Sequence, residues 1–183
     1  MGSKGVTVWL TGLSGSGKTT IAKMAEAKLN QRGQPVQLLD GDTVRERLNK
    51  DLGFSKADRF TQVERVTYVA ELLTYHGIIV LAALISPYRE IRAYARRHIP
   101  SFVEVYVRCP LEECARRDVK GLYARAFRGE IPQFTGVSDP YEEPENPELI
   151  LDTQRETVDE SVEKLLRYLE RQGYILPMEG EGA

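Results

Sequence analysis

The segment Gly12-Leu-Ser-Gly-Ser-Gly17-Lys18-Thr19 spaces two glycines, a lysine and a threonine as a phosphate cradle requires. Glycines let the backbone curl around phosphate oxygens without a Cβ in the way. The loop N–H groups then point inward, and a helix that opens there presents its positive end to the anion. Lys18 can reach the β- and γ-phosphates of a nucleoside triphosphate, and Thr19 can offer its hydroxyl to Mg²⁺. The pattern is that of a P-loop. A chance match would sit anywhere; this one follows a β-branched, aromatic run and opens a helical pattern, the context the motif needs.

The Asn-Lys-x-Asp segment with which GTPases read guanine is missing from the sequence. The best apolar strand, Ile78 to Ile85, ends in Ser86 where a motor ATPase would carry a carboxylate. The acids come after the second strand instead, as Asp40-Gly41-Asp42. A carboxylate there lies near the phosphates, where it can orient Mg²⁺-bound water or accept the proton of an acceptor hydroxyl. Such an arrangement suits a small-molecule kinase that uses ATP. The same two acids also fit a turn with a cap for the following helix. Arg45, Arg59, Arg65, Arg89 and Arg92 fall where they could meet an anionic acceptor, and Arg45 lies one helical turn past Asp42 on the same face.

These residues need a scaffold, and the periodicities supply one. Strands are expected at Val6 to Thr11, Val36 to Leu39, Gly77 to Ile85, Phe102 to Val107 and Leu149 to Asp152. Helices are expected at Lys18 to Gln31 with Gly33 as stop, from Thr43, at Asp58 to Tyr75, Pro87 to Arg97, Leu111 to Arg117 and Thr157 to Arg171. Alternation of the two predicts an α/β, three-layer fold with a mostly parallel sheet, and the motifs fall at the carboxyl ends of its strands. Asp118 to Glu148 is rich in Gly and Pro and lacks periodicity. So long a stretch inside a compact domain predicts a mobile lid, here residues 118–148 of one kinase domain spanning 1–183.

Bulk properties set outer limits. The chain has 183 residues, enough for one domain with a real core. A net charge of −2 gives no basic field to draw the whole surface to nucleic acid or an acidic membrane, so neither is expected as a partner. The longest apolar run is far short of the roughly 20 residues of a membrane span. The first residues lack the regions of a signal peptide. Cys109 and Cys114 are too few for a disulfide framework or a four-cysteine zinc site, so the expected compartment is the reducing cytoplasm. The Gly/Glu-rich residues 177–183 are expected to be a disordered tail.

From Asp40 onward the chain resembles the adenylyl-sulfate kinase family. The matching residues are Leu39-Asp-Gly-Asp42 with Arg45, Asp51-Leu-Gly-Phe-Ser55, Asp58-Arg59 and Ile85-Ser-Pro-Tyr-Arg89. They continue with Cys109-Pro-Leu-Glu, Arg117-Asp-Val-Lys120-Gly-Leu-Tyr123, Gly129-Glu-Ile131, Phe134-Thr-Gly136 and Pro140-Tyr-Glu-x-Pro144. Many kinases share the phosphate cradle; the run from Lys120 to Pro144 is far more specific. The resemblance implies transfer of the γ-phosphoryl of ATP, with Mg²⁺, to the ribose 3′-hydroxyl of adenylyl sulfate, and a homodimer. It implies ATP binding by Gly12, Leu13, Ser14, Gly15, Ser16, Gly17, Lys18 and Thr19, and metal binding by Thr19 and Asp40. It implies acceptor binding by Asp42, Arg45, Phe54, Arg59, Gln62, Ile85, Ser86, Lys120, Leu122 and Phe134. Within that set Phe54 and Phe134 would sandwich the adenine, Arg45 and Arg59 would hold the phosphate–sulfate anion, and Lys120 would close over the phosphates. Lys18, Asp40, Asp42 and Ser86 are the implied catalytic positions. Ser86 is the family's phosphoserine position, yet Ser86-Pro87 also reads as a helix cap followed by proline, and in-line transfer needs no covalent intermediate.

One departure stands out. Where the family has Glu-Asn-x-Arg-Arg after Asp58-Arg59, this chain has Thr61-Gln62-Val63-Glu64-Arg65. Gln62 can replace an asparagine's hydrogen bonds with longer reach, whereas Glu64 reverses a charge and would repel an anion if it faced one. Two other readings compete: a kinase for another small hydroxyl compound, and a non-catalytic nucleotide-binding domain. The phenylalanine pair argues against the first, and intact Lys18, Thr19, Asp40 and Asp42 argue against the second.

Overall fold

The computed structural model describes residues 4–118 and 120–177. The expected disordered tail therefore lies, past Pro177, outside the described residues. A five-stranded sheet runs through the molecule in the order β2-β3-β1-β4-β5. Its strands are β1 (Val6–Thr11), β2 (Val36–Asp40), β3 (Ile79–Ala83), β4 (Phe102–Arg108) and β5 (Leu149–Asp152), and every neighbouring pair is parallel. Parallel pairing demands crossovers, and the helices provide them: α1 (Lys18–Gln31), α2 (Gly41–Arg47), α3 (Lys56–Tyr75), α4 (Arg89–His98), α5 (Leu111–Arg117), α6 (Leu122–Phe127) and α7 (Val158–Arg171).

The layers follow from the alternation of side chains along β1. Val6, Val8 and Leu10 face one way, into a core shared with Ile21, Ala25 and Leu29 of α1 and Val162, Leu165, Leu166 and Leu169 of α7. Trp9 faces the other way, against Val63, Val66 and Ala70 of α3 and Ile91 and Ala95 of α4. Burial on both faces explains why β3 reads as an unbroken apolar run and why every residue of β1 is buried, Thr7 and Thr11 included. The three-layer α/β expectation holds.

Local chemistry fixes several boundaries. Ser55 caps α3 and Thr157 caps α7, each in a reciprocal capping box, with Asp58 and Glu160 as the acidic partners. The cap of α2 is Asp40, whose carboxylate accepts from the N–H groups of Asp42 and Thr43, so the capping role considered for both acids belongs to Asp40. The expected helix at Pro87 starts two residues later, at Arg89, with Tyr88 in the capping position. Ser86 does not cap it: this residue sits at φ 39, with its hydroxyl accepting from the Trp9 indole at 3.0 Å and its carbonyl accepting from Arg92 at 2.7 Å.

The long irregular stretch divides in two. Its first part holds the short helix α6, with Tyr123 buried and donating to the Ser14 carbonyl at 2.8 Å. Its second part is strapped to α4. The Tyr88 hydroxyl donates to Asp139 at 2.6 Å, the Arg89 N–H to Glu142 at 2.7 Å, the Arg92 guanidinium to the Glu142 carbonyl at 2.6 Å, and Arg96 to Glu148 at 2.6 Å.

Candidate active site

The cradle forms between β1 and α1. Gly12 leaves β1 where a Cβ would lie 2.5 Å from the Val107 carbonyl, so only glycine fits against β4. Gly17 turns the chain into α1 at φ 103, a left-handed conformation open to glycine. Ser14, Gly15, Gly17, Lys18 and Thr19 line a cavity of about 940 Å³. The other three loop residues have different places. Gly12 and Leu13 present their carbonyls to the Lys18 ammonium at 2.9 and 2.6 Å, and Ser16 is buried, with its hydroxyl 3.4 Å from the same ammonium. Burial pushes the Lys18 ammonium down from 10.5 to about 8, against the raising influence of Cys114, Asp40 and Asp42.

At the start of α1 the Thr19 hydroxyl donates to the Asp40 carboxylate at 2.8 Å. The start of α1 and the end of β2 thus meet through one hydroxyl and one carboxylate, both hard oxygen donors. Among the described residues there is no cluster of three or more His, Cys, Asp or Glu side chains able to hold a metal alone. This donor set fits Mg²⁺, which takes few protein oxygens and completes its shell with water and phosphate. Asp42, half a turn into α2, is exposed and pairs with Lys120 across the mouth of the cavity.

The far wall comes from α2, α3 and the irregular stretch. Arg45 lays its guanidinium over the Phe54 ring, 4.4 Å from the centroid, and donates to Gln62 at 2.6 Å and to the Gly53 carbonyl at 2.9 Å. Phe54 is 52% exposed, an unusual state for a phenylalanine, and it lines the cavity together with Gln62, Ile85, Ser86, Leu122 and Phe134. Phe134 stands edge-on to Tyr123 with centroids 5.0 Å apart. Arg59 is buried and donates to the carbonyls of Phe54 and Gln133 and to the Thr135 hydroxyl.

Three of the arginines considered as anion ligands are committed elsewhere. Arg65 makes a two-pronged pair with Asp51, both contacts 2.7 Å, and ties the loop after α2 to α3. Arg89 holds Glu143 and Glu145, and Arg92 is buried against Glu104 at 2.8 Å. None of these three, and not Glu64, lines the cavity. Charge and position in the sequence suggested the role; carboxylates brought in from distant segments take it away.

The cavity also has an end that the sequence reading left without residues. Arg117 at the close of α5 and Thr153, Glu156, Thr157 and Val158 after β5 line it on the far side of the cradle. Arg117 is held flat by bonds to Glu113 at 2.9 Å and to the Thr153 carbonyl at 2.6 Å, and the Thr153 hydroxyl donates to the Ser16 carbonyl at 2.8 Å. The signal was available: ligands in parallel sheets gather at strand carboxyl ends, and β5 ends at Asp152 beside β4. One cavity thus joins the phosphate cradle to Arg117 and Thr153 as well as to Phe54, Gln62 and Phe134.

Known proteins resemble this chain over most of its length. The family model described as adenylylsulphate kinase matches residues 4–152. The adenylyl-sulfate kinase of Halothermothrix orenii is 58% identical over 172 residues, covering 94% of this chain and 93% of its own. That of Picosynechococcus is 54% identical over 177 residues, covering 97% and 100%. The solved structure of the Mycobacterium tuberculosis APS kinase CysC in complex with AMPPNP and APS superposes with a TM-score of 0.89 at 47% identity, covering 91% of this chain and 98% of that one.

Proposed function

The chain belongs to the adenylylsulphate kinase family, and we propose that it transfers the γ-phosphoryl group of ATP to the 3′-hydroxyl of adenylyl sulfate, giving 3′-phosphoadenylyl sulfate and ADP. The observation that carries the reading is the single cavity in which the P-loop faces Phe54, Gln62 and Phe134. The relative from Mycobacterium tuberculosis, solved with an ATP analogue and adenylyl sulfate, supports two nucleotides in one cleft.

ATP lies with its phosphates in the cradle and its base toward Arg117 and Thr153, where the flat guanidinium offers a stacking surface. Lys18 follows the charge on the γ-phosphoryl as it leaves ADP. Thr19 and Asp40 are the residues that would hold Mg²⁺, which would supply charge neutralisation of the phosphate oxygens. The adenine of adenylyl sulfate enters between Phe54 and Phe134. Arg45 covers one face of Phe54, so the base takes the other, and the same guanidinium stands at the edge of the acceptor's anion. Asp42 accepts the proton of the 3′-hydroxyl, and Lys120 moves from Asp42 toward the transferring phosphoryl as the cleft closes. Ser86 serves as a wall of the acceptor pocket; its hydroxyl is already engaged by the Trp9 indole.

The mobile lid is the part from Lys120 to Thr135. The strap from Asp139 to Glu148 holds its far end to α4. Closure excludes water, which would otherwise compete for the phosphoryl group. The enzyme works as a homodimer in the cytoplasm, a reading supported by the exposed stripe of Tyr68, Leu72 and Tyr75 on α3 and by free cysteines at 109 and 114. Among the described residues no helix is long and apolar enough to cross a membrane.

The decisive measurement is ADP release from ATP and Mg²⁺, with and without adenylyl sulfate. Strong stimulation, with 3′-phosphoadenylyl sulfate as product, is expected. ATP binding without stimulation would overturn the acceptor assignment and leave the P-loop chemistry standing.

A further inference from the structure

Tyr123 of α6 carries a phenol into the small core behind the phosphate cradle. It is 2% exposed and does not line the cavity. It clusters with Cys109 and Cys114, and Leu13 and Phe134 pack against that cluster. A buried hydroxyl needs a partner, and this one donates to the Ser14 carbonyl of the cradle at 2.8 Å. The ring is also held at its root. The Asp118 carboxylate accepts from the N–H groups of Tyr123 and Ala124 at 2.9 and 3.1 Å, which pins the start of α6 to the end of α5.

The bond to Ser14 acts through peptide geometry. In a planar trans peptide the carbonyl and the N–H that follows it point in opposite directions. A donor that holds the Ser14 carbonyl on the protein side therefore aims the Gly15 N–H the other way, and Gly15 lines the cavity. The glycines give the loop its path, yet Gly15, at φ 75 and without a side chain, has nothing of its own to hold that tilt. The same device recurs two residues on. The Thr153 hydroxyl donates to the Ser16 carbonyl at 2.8 Å and so aims the Gly17 N–H, and Gly17 also lines the cavity. Two hydroxyls that lie 109 and 137 residues from their acceptors thus hold alternate peptides of one loop.

We infer that Tyr123 is a positioning residue of the phosphate cradle, with Thr153 as its counterpart. Their hydroxyls hold the Ser14 and Ser16 carbonyls outward, so that the Gly15 and Gly17 N–H groups meet the phosphates. The inference rests on the reading of Gly12 to Thr19 as a nucleotide phosphate loop. Its consequence is that nucleotide affinity depends on a hydroxyl of α6 that lies outside the cavity. A tyrosine kept there for packing alone would be equalled by phenylalanine.

Calorimetric titration with a non-hydrolysable ATP analogue and Mg²⁺ tests this, together with amide NMR spectra of the same complexes. One hydrogen bond is worth about 2- to 10-fold in affinity. Tyr123→Phe keeps the ring and is expected to weaken the analogue by a factor in that range. The shift of the Gly15 amide proton on analogue binding should shrink in the same variant. Thr153→Val should weaken the analogue as well and shrink the shift of the Gly17 amide proton, whereas Thr153→Ser, which keeps the hydroxyl, should retain wild-type affinity. A purely structural role would lower Tm and leave the affinity and the amide shifts of the folded protein unaltered. That result would overturn the inference and leave the phosphate loop standing. So would a loss of affinity in Tyr123→Phe with an unaltered Gly15 shift. Wild-type protein that does not bind the analogue would overturn the phosphate-loop reading and the inference together.

Discussion

Replacing Lys18 by methionine should abolish turnover and yet make the protein more stable at neutral pH. Burial lowers the Lys18 ammonium from 10.5 to about 8. At about 1.36 kcal/mol per unit, keeping that charge in the fold costs about 3 kcal/mol at any pH below 8. Methionine removes this cost and fills a similar volume. It also leaves the carbonyls of Gly12 and Leu13 without their donor, at about 1 kcal/mol each. The net gain is about 1 kcal/mol, or a rise in Tm of about 2–4 °C for a chain of this size. The sign then changes with pH. The folded pKa lies below the unfolded one, so between about pH 8 and 10.5 the unfolded chain binds more protons, and wild-type stability rises through that window. Once the lysine is neutral in both states, the variant keeps only its loss of about 2 kcal/mol and becomes the less stable protein. Calorimetric melting of both proteins near pH 7 and near pH 10 tests this, with ADP release measured alongside. A variant less stable than wild type by the same margin at both pH values would refute the reasoning, and so would one that still turns over.

Asp40→Asn should lower kcat by about 10²-fold and raise the Mg²⁺ concentration for half-maximal rate, because the Thr19–Asp40 pair loses its carboxylate; a metal titration of ADP release checks it, and an unchanged half-saturation rejects the site. Arg92→Ala should cost about 1–3 kcal/mol in urea unfolding, since it leaves Glu104 with only the looser Arg96 contact at 3.3 Å and takes the Arg92 donor from the Ser86 and Glu142 carbonyls, and no measurable cost would show the pair is not structural. Glu64→Arg should leave the acceptor KM within about twofold, as expected of a surface change; a larger fall in KM would place residue 64 against the anion.

What the sequence made legible is what a single segment decides. The P-loop needs only its own glycines, one strand before it and one helix after it, so Gly12 to Thr19 could be read without neighbours. Strand β3 was equally plain, because burial on both faces leaves an unbroken apolar run there. The start of α4 was misread for the opposite reason. Ser86-Pro87 has the local signature of a cap, but Trp9, on β1, and Arg92, one turn into α4, hold Ser86 in a left-handed conformation outside the helix. The helix α6 was missed because six residues are too few to show a period. The arginines divide along the same line: their charges were visible, while the partners of Arg59 at Gln133 and Thr135 stand 74 and 76 residues away in the chain.

The departure at positions 62 and 64 is resolved by helix geometry rather than by residue type. Both positions lie on α3, whose Val63 and Val66 face the core. Successive residues on a helix are about 100° apart, so Glu64 points about 200° from Gln62. One of the two can face the cavity, and it is Gln62 that lines it. The longer reach of glutamine has a use there: its amide oxygen accepts from Arg45 at 2.6 Å and steadies the guanidinium over the Phe54 ring. The charge reversal at Glu64 falls on the side turned from that contact, so the end of the cavity proposed for the acceptor keeps its cation. The site thus rests on two kinds of support. Backbone geometry within one loop builds the cradle and leaves little room for change. The end of the cavity proposed for the acceptor is assembled by side chains of α2, α3 and the stretch after α6 reaching across one another, so a substitution there matters according to the direction it faces.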